Sequence, residues 1–187
     1  ASLPARYGRR EATLLDKRVR DTGEIGADLL AVSWADGALQ SLTSEVARVL
    51  CLPRVEARLH NLLVYGPGQF FKSHQDTEKH RGMVATLVLV WPSAHLGGEL
   101  RVRHGKDEAR FASQHLRLDG FRWFAFYADC QHEVCPVTEG WRVVLTYDLV
   151  VPVGLSAPAA PASGHARSPA DGPPRVLTEA ARPGGGL

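Results

Sequence analysis

The feature that most constrains the fold is a nearly continuous apolar run from Met83 to Trp91, Met-Val-Ala-Thr-Leu-Val-Leu-Val-Trp, which Pro92 follows. The run is short for a buried helix and rich in valine, so it predicts a strand that is covered on both faces. Such a strand lies inside a sheet, with other segments packed above and below it. The rest of the chain must therefore supply neighbouring strands and a cover.

Several other segments have the composition of short strands, and one has the pattern of a helix. Strands are predicted over 12–20, 54–65, 108–112, 115–118, 121–128 and 141–150, and a hairpin over 97–105. A helix is predicted over 37–50, with Asp36 as its N-cap. Many short strands and one early helix predict a mainly β core of sandwich or jelly-roll type, supported by that N-terminal helix.

The 187 residues, 44% of them hydrophobic, suffice for one domain with a substantial core. We expect this domain over 1–151, with its core at about 54–150. From Pro152 onward the chain is rich in Pro, Ala, Gly and Ser, so we expect 152–187 to be a flexible tail. Residues 175–182 are the one stretch of that tail that could form a short helix.

Charge and composition narrow the classes of partner. The formal net charge is +2 and the basic residues are scattered, so nucleic acid binding is not indicated. No apolar run approaches the roughly 20 residues of a membrane-spanning helix, and the first residues lack the apolar centre of a signal peptide. Three cysteines, Cys51, Cys130 and Cys135, do not make a disulfide framework. We expect a soluble, cytoplasmic protein.

The segment from Tyr65 to Asp76 contains the most specific pattern of chemical groups. It ends in His74-x-Asp76, and residues two apart on a strand leave the same face, so these side chains could share a metal ion. His132, just ahead of the last predicted strand, is the best candidate for a third ligand. Two histidines and one carboxylate form the facial triad that holds non-haem Fe(II) and leaves positions open.

The last predicted strand contains a charged residue between apolar neighbours. Alternation places Arg142, Val144 and Thr146 on one face, and both faces are largely apolar, so we expect Arg142 to be at least partly buried. A buried guanidinium requires an anion, and Asp148 lies three pleats further along the strand. An acidic ligand, held by the planar fork of the guanidinium, would satisfy that requirement.

Taken in order, these residues resemble the Fe(II)- and 2-oxoglutarate-dependent dioxygenases, specifically their prolyl 4-hydroxylase-like branch. The resemblance spans about residues 62–149. It rests on Tyr65 ahead of His74-x-Asp76, Thr86 in the following strand, the turn Gly97-Gly98-Glu99-Leu100, His132-Glu133-Val134 and Gly140-x-Arg142.

The resemblance implies a double-stranded β-helix, the jelly-roll or cupin-like fold, with Fe(II) held by His74, Asp76 and His132. It implies 2-oxoglutarate as cosubstrate, bound to the metal through its 1-carboxylate and 2-keto oxygens and to Arg142 through its distal carboxylate. It also implies that Tyr65, Thr86 and Thr146 hydrogen-bond 2-oxoglutarate or lie beside it. O2 is the other cosubstrate, and ascorbate is a candidate additional cofactor.

The reaction that the resemblance implies is hydroxylation of a peptide side chain, of the prolyl type, or of a small metabolite, with release of succinate and CO2. Asp76 occupies the position at which related halogenases have a small residue, so oxygen insertion or desaturation is expected rather than halogenation. Apolar walls formed by Val84, Leu87, Leu89 and the aromatic residues of 121–127 are expected to exclude water.

Four other interpretations of the same residues remain. His74 and Asp76 could be a surface pair, since an isolated His-x-Asp is common. His132 between Cys130 and Cys135 could belong to a zinc knuckle, although a second ligand pair at suitable spacing is missing. The same triad could bind Zn²⁺ or another divalent ion in a cupin-like hydrolase or isomerase. Finally, the fold could serve as a non-catalytic binding domain.

Overall fold

Antiparallel strands account for most of the protein. The structure is a computed structural model that describes residues 3–4, 7–9, 12–14, 16–76, 81–112, 121–152 and 176–181. Its helices are a short 3₁₀ helix, Ala27–Leu29, and α1, Ala38–Val49. Its strands are β1 (Leu3–Pro4), β2 (Tyr7–Arg9), β3 (Ala12–Leu14), β4 (Arg20–Asp21), β5 (Gly23–Gly26), β6 (Glu56–Tyr65), β7 (Phe70–Gln75), β8 (Met83–Val90), β9 (His95–Gly97), β10 (Leu100–His104), β11 (Asp107–Phe111), β12 (Phe121–Tyr127), β13 (Gln131–Val134), β14 (Val137–Gly140), β15 (Arg142–Val150) and β16 (Val176–Ala181).

Two main sheets are formed by the described strands. The larger has the order β1-β5-β6-β15-β8-β12-β16, and the smaller has the order β11-β10-β13-β7-β4. Neighbouring strands in both are antiparallel, and a shared apolar core lies between the sheets. This is the arrangement of a double-stranded β-helix, so the predicted fold class is confirmed.

The larger sheet has a core on each face because successive side chains of its strands point in opposite directions. On the outer face, α1 packs against Leu87 and Leu89 of β8 and their neighbours. On the inner face, Val88 and Val90 of the same strand meet the smaller sheet. The prediction that 83–91 forms a strand covered on both faces is therefore confirmed.

The same alternation corrects the predicted water-excluding wall. Leu87, Leu89 and the partly buried Val84 belong to the helix-side core, so they do not face the space between the sheets. The inward residues are those of the opposite parity, including Val88 of β8 and Phe126 of β12. The prediction treated an apolar strand as a single surface, whereas a strand that is buried on both faces supplies two.

Helix α1 agrees with the predicted helix over 37–50, but its N-cap differs. The cap residue is Gly37, in the left-handed region with φ of 75°, and no side chain caps the helix. Asp36 as N-cap is therefore wrong. Leu42 and Val46 are buried on the face that meets the sheet, so packing against the larger sheet stabilises α1 in place of a polar cap.

Most predicted strands are present, with three differences. The segment predicted as one strand over 12–20 contains β3 and the first residue of β4, with a turn at 17–19 between them. The prediction for 115–118 lies outside the described residues. The short strands β1, β2, β5, β9, β13 and β14 were not predicted as strands.

Residues 176–181 form a strand, β16, which pairs with β12. The hypothesis of a short helix over 175–182 is therefore wrong for these six residues. The domain boundary near residue 151 and the flexibility of the remaining tail stay predictions. Within the described ranges, no helix has both the length and the apolar character needed to cross a membrane.

Candidate metal centre

Pairing between β7 and β13 brings together the three predicted metal ligands. His132 lies directly opposite His74 in this antiparallel pair, and Asp76 follows the end of β7. One ligand atom from each of the three residues lies within 4.8 Å of the others. Nε2 of His132 is 3.9 Å from Oδ2 of Asp76. The His74-x-Asp76 pair and the distant His132 thus converge on one point.

Neighbouring groups fix the orientation of two of these ligands. Nδ1 of His74 is 2.9 Å from the carbonyl oxygen of Lys72, so an Nδ1 proton donated there leaves Nε2 as the free ring nitrogen. The Thr86 hydroxyl donates a hydrogen bond of 2.7 Å to Oδ2 of Asp76. Such outer contacts hold metal ligands in their binding geometry.

Aromatic rings surround the two histidines. The rings of Phe71 and His74 are stacked with centroids 3.5 Å apart, and Phe126 lies 4.6 Å from the His132 ring. Burial, reinforced by the nearby His132, lowers the pKa of His74 to about 3, although the Asp76 carboxylate opposes this change. His74 is therefore neutral near pH 7, which is the form that binds metals.

The metal-ligand cluster lies at the wall of a cavity of about 80 Å³ between the two sheets. A volume of this size holds several water molecules. The residues that line it are Arg20, His60, Asn61, Leu63, Tyr65, Phe71, His74, Asp76, Thr86, Val88, Leu100, Phe126, His132, Val134, Arg142, Val144, Thr146 and Asp148. All seven predicted site residues are among them.

Arg142 is the most deeply buried cation of the cavity, at 1% exposure. It opens β15 directly opposite Tyr65, and its guanidinium carbon is 5.6 Å from the centroid of the Tyr65 ring. Burial lowers the pKa of Arg142 to about 10. An anion beside the guanidinium would favour its charged form, so this end of the cavity suits a carboxylate.

The glycine turn of the sequence pattern explains how Arg142 is accommodated. Gly98 has φ of 67°, and a Cβ at this position would lie 2.7 Å from Cδ of Arg142. A side chain there would force the arginine to move. Gly98 is therefore required both by its backbone conformation and by the close approach of the arginine stem.

The remaining predicted residues make contacts of different kinds. Tyr65 is fully buried, and this burial raises the pKa of its hydroxyl. The Thr86 hydroxyl bonds Asp76, while the Thr146 hydroxyl donates to Oδ1 of Asn61 at 2.5 Å. Thr86 and Thr146 thus both line the cavity, but each also holds a neighbouring protein side chain.

Sequence reasoning missed several polar residues of the cavity. Asp148 is 1% exposed and lies on the face of β15 that carries Arg142 and Thr146, so its alternation with Arg142 was a usable signal. His60 faces the cavity because the register of β6 against β15 shifts beside it, leaving one extra residue in β6. Arg20 enters from β4, and nothing in the local sequence indicated this.

The donor set fits a divalent iron ion. Two imidazoles and one carboxylate supply nitrogen and oxygen ligands, and three protein ligands leave further coordination positions open. The thiols that a zinc knuckle would need are absent from the described cluster, which consists of His74, Asp76 and His132.

Comparison with known proteins agrees with this geometry. The family model described as the 2OG-Fe(II) oxygenase superfamily matches residues 60–147, a range that contains every predicted site residue. The chain is similar to this superfamily over that range. The predicted family and the general class, a 2-oxoglutarate-dependent oxygenase, are therefore confirmed.

Solved structures of prolyl hydroxylases have a fold similar to that of this protein. A prolyl-4-hydroxylase from Pseudomonas putida has a TM-score of 0.51 and 18% identity over 73% of this chain and 73% of its own. A viral collagen prolyl hydroxylase from Paramecium Bursaria Chlorella virus-1, solved with 2OG, has a TM-score of 0.50 and 14% identity over 72% of this chain and 81% of its own. A search of curated protein sequences gives no match.

Proposed function

We propose that this protein hydroxylates an unactivated carbon of a peptide side chain, of the prolyl type, or of a small metabolite, and converts 2-oxoglutarate to succinate and CO2. The observation that carries the proposal is the composition of one cavity. Three metal-binding side chains have ligand atoms within 4.8 Å of one another, and the same cavity contains the buried cation of Arg142.

His74, Asp76 and His132 are the residues that would hold Fe(II). When bound, Fe(II) supplies the site at which O2 and 2-oxoglutarate react to give an oxidant for the substrate. The protein prepares this site in two ways. It keeps His74 neutral, because burial lowers the pKa of that imidazole, and it holds the Asp76 carboxylate through the hydroxyl of Thr86.

Arg142 is the residue that we propose for the distal carboxylate of 2-oxoglutarate. A planar guanidinium can donate two parallel hydrogen bonds to a carboxylate, and a buried site strengthens their attraction. Tyr65, directly opposite on β6, would lie beside the same carboxylate. Direct contact of Thr86 or Thr146 with 2-oxoglutarate stays a prediction.

Apolar residues line the cavity around these polar groups. Val88, Phe126 and Val144 are buried and face inward from three adjacent strands of the larger sheet. They limit the water that can reach the site, which protects a reactive oxidant from side reactions. Asp76 supplies a carboxylate ligand, so we propose oxygen insertion or desaturation rather than halogenation. Ascorbate as a further cofactor and a cytoplasmic location also stay predictions.

The direct test is succinate formation. Protein reconstituted with Fe(II) under anaerobic conditions, then given 2-oxoglutarate and O2, should form succinate slowly without substrate and faster with one. His74→Ala is the control, and N-oxalylglycine should inhibit. Absence of succinate above the control, with iron shown to be bound, would contradict the proposal. Metal-dependent turnover that needs no 2-oxoglutarate would favour the divalent-metal hydrolase alternative.

A further inference from the structure

The cavity is closed at one end and more accessible at the other. Arg142 and Tyr65 are each 1% exposed. By contrast, the side chain of His60 is 31% exposed and that of Asp76 is 14% exposed. Solvent therefore reaches the cavity beside the metal ligands, and a substrate of the proposed reaction would enter there.

Several polar groups of the lining are already engaged with one another. The Thr146 hydroxyl donates to Asn61 at 2.5 Å, and Nδ2 of Asn61 donates to Oε1 of Glu24 at 2.6 Å. The other carboxylate oxygen of Glu24 is 3.5 Å from Nη1 of Arg20. This network ties β5 and β4 to the wall of the cavity, so we assign these four residues to structure rather than to substrate recognition.

Asp148 is an acidic side chain of the cavity lining that lies outside this group of four residues. It is 1% exposed and lies directly opposite Thr86 in the neighbouring strand. Directly opposed residues have Cβ atoms about 4.5 to 5.5 Å apart, and the Thr86 hydroxyl contacts Asp76. Asp148 thus lies at the level of the metal ligands, at the accessible end of the cavity.

Asp148 lines the cavity, and the imidazole of His60 lies beside its carboxylate. Nδ1 of His60 is 3.9 Å from Oδ2 of Asp148, at the more exposed rim. Arg58, its cross-strand neighbour in β6, has an exposed side chain. A carboxylate in a poorly solvated pocket attracts a cation more strongly than one in water.

We propose that Asp148 is a specificity-determining residue that binds a cationic group of the substrate, an ammonium or a guanidinium, beside the metal centre. This inference rests on the proposed function, because it assigns the substrate of that same site. It narrows the proposed substrates, a peptide side chain or a small metabolite, to those that carry a positive charge, and so disfavours an uncharged prolyl side chain.

Binding of two matched probes to Mn(II)-loaded protein tests the inference without turnover. The probes are Nα-acetyl-lysine N-methylamide and Nα-acetyl-norleucine N-methylamide, which differ by one ammonium group. Isothermal titration calorimetry should show that the wild-type protein binds the lysine probe at least about 30-fold more tightly than the norleucine probe. This ratio is at the lower end of the range for a buried charge pair. Asp148→Asn keeps the side-chain shape and should bring the two affinities together.

Arg58→Gln is the matched control, since it removes a charge from the same cross-strand pair but outside the cavity. It should keep the preference for the lysine probe. Equal binding of both probes by the wild-type protein, or an undiminished preference in Asp148→Asn, overturns the inference. The wild-type comparison needs no variant, so a folding defect does not affect it.

The succinate assay separates this inference from the proposed function. If the wild-type protein prefers the cationic probe through Asp148 but forms no succinate, the role of Asp148 is supported and the proposed reaction is contradicted. If the protein forms succinate but binds both probes equally, the proposed reaction is supported and the role of Asp148 is contradicted.

Discussion

The metal end and the arginine end of the cavity are built on different principles. His74 and His132 lie on paired strands of the smaller sheet, and Asp76 is partly accessible. Arg142 lies on β15 within the larger sheet and is almost completely buried.

The comparison shows that the two ends depend on their ligands to different degrees. The fold can accommodate the side chains of the metal end without a bound ion. The imidazoles can be neutral, and the Asp76 carboxylate accepts a hydrogen bond from Thr86. The arginine end keeps a charged group away from water, and burial lowers the pKa of Arg142 to about 10. Mutations at the two ends should therefore separate metal binding from cosubstrate binding.

The largest effect is expected at the metal end. His132→Ala removes one of three ligands and should weaken Fe(II) binding more than about 100-fold, beyond the loss typical of an outer contact. Anaerobic titration with Fe(II) measures this, and succinate formation should disappear in parallel. His104→Ala, which alters a histidine outside the cavity lining, should change neither. Normal iron affinity in His132→Ala would break the assignment of the triad.

At the arginine end, Arg142→Ala should weaken binding of 2-oxoglutarate by about 2 to 5 kcal/mol, the usual loss when one member of a buried charge pair is removed. Calorimetry with N-oxalylglycine on Mn(II)-loaded protein measures the change. Metal affinity should persist, and Arg101→Gln, at a partly exposed site on β10, serves as the control. Unchanged affinity for N-oxalylglycine in a folded Arg142→Ala variant would contradict the assignment of cosubstrate binding to the arginine end.

A smaller effect is expected for the outer contact to Asp76. Thr86→Val keeps the side-chain shape but removes the 2.7 Å hydrogen bond to Oδ2, and it should weaken Fe(II) binding about 10-fold to 100-fold. Thr146→Val is the matched variant, since its hydroxyl bonds Asn61 instead. Equal iron affinities for the two variants would show that the Thr86 contact does not orient the ligand.

The smallest effect concerns pH and a buried histidine near the arginine end. Burial lowers the pKa of His95 from its ordinary 6.5, and the charge of Arg142 adds to this. The unfolded chain therefore binds more protons at this site than the folded one, so its contribution to stability is present above pH 6.5 and declines as the pH falls below that value. Urea unfolding at pH 7.5 and 5.5 should show a smaller pH dependence for His95→Gln than for the wild-type protein. The same pH dependence in both would contradict this assignment.

Part of the fold was predictable because local sequence patterns indicate which segments form strands and which side chains share a face. Valine content and length identified β8 as a strand, and alternation placed Arg142 and Thr146 on one face of β15, where both line the cavity. Alternation alone did not show which apolar residues face the site, as Leu87 and Leu89 demonstrate. That choice depends on which sheet face the helix covers.

The candidate site shows the same division. The order and spacing of the candidate ligands and Arg142, taken with Tyr65, Thr86 and the glycine turn, were enough to predict the family. Two features of the site were not predictable, because they depend on the pairing of distant strands. Arg20 reaches the cavity from β4, and a bulge in β6 turns His60 toward Asp148.

By itself the sequence determined the kinds of chemical group at the site and the periodicity of the strands, since both are properties of short segments. Only the tertiary structure decided which groups meet. Strand register sets His132 opposite His74 and Asp148 opposite Thr86, and a shift of one residue would turn each side chain to the other face of its sheet. Register is fixed by burial of both cores at once, which no single segment contains.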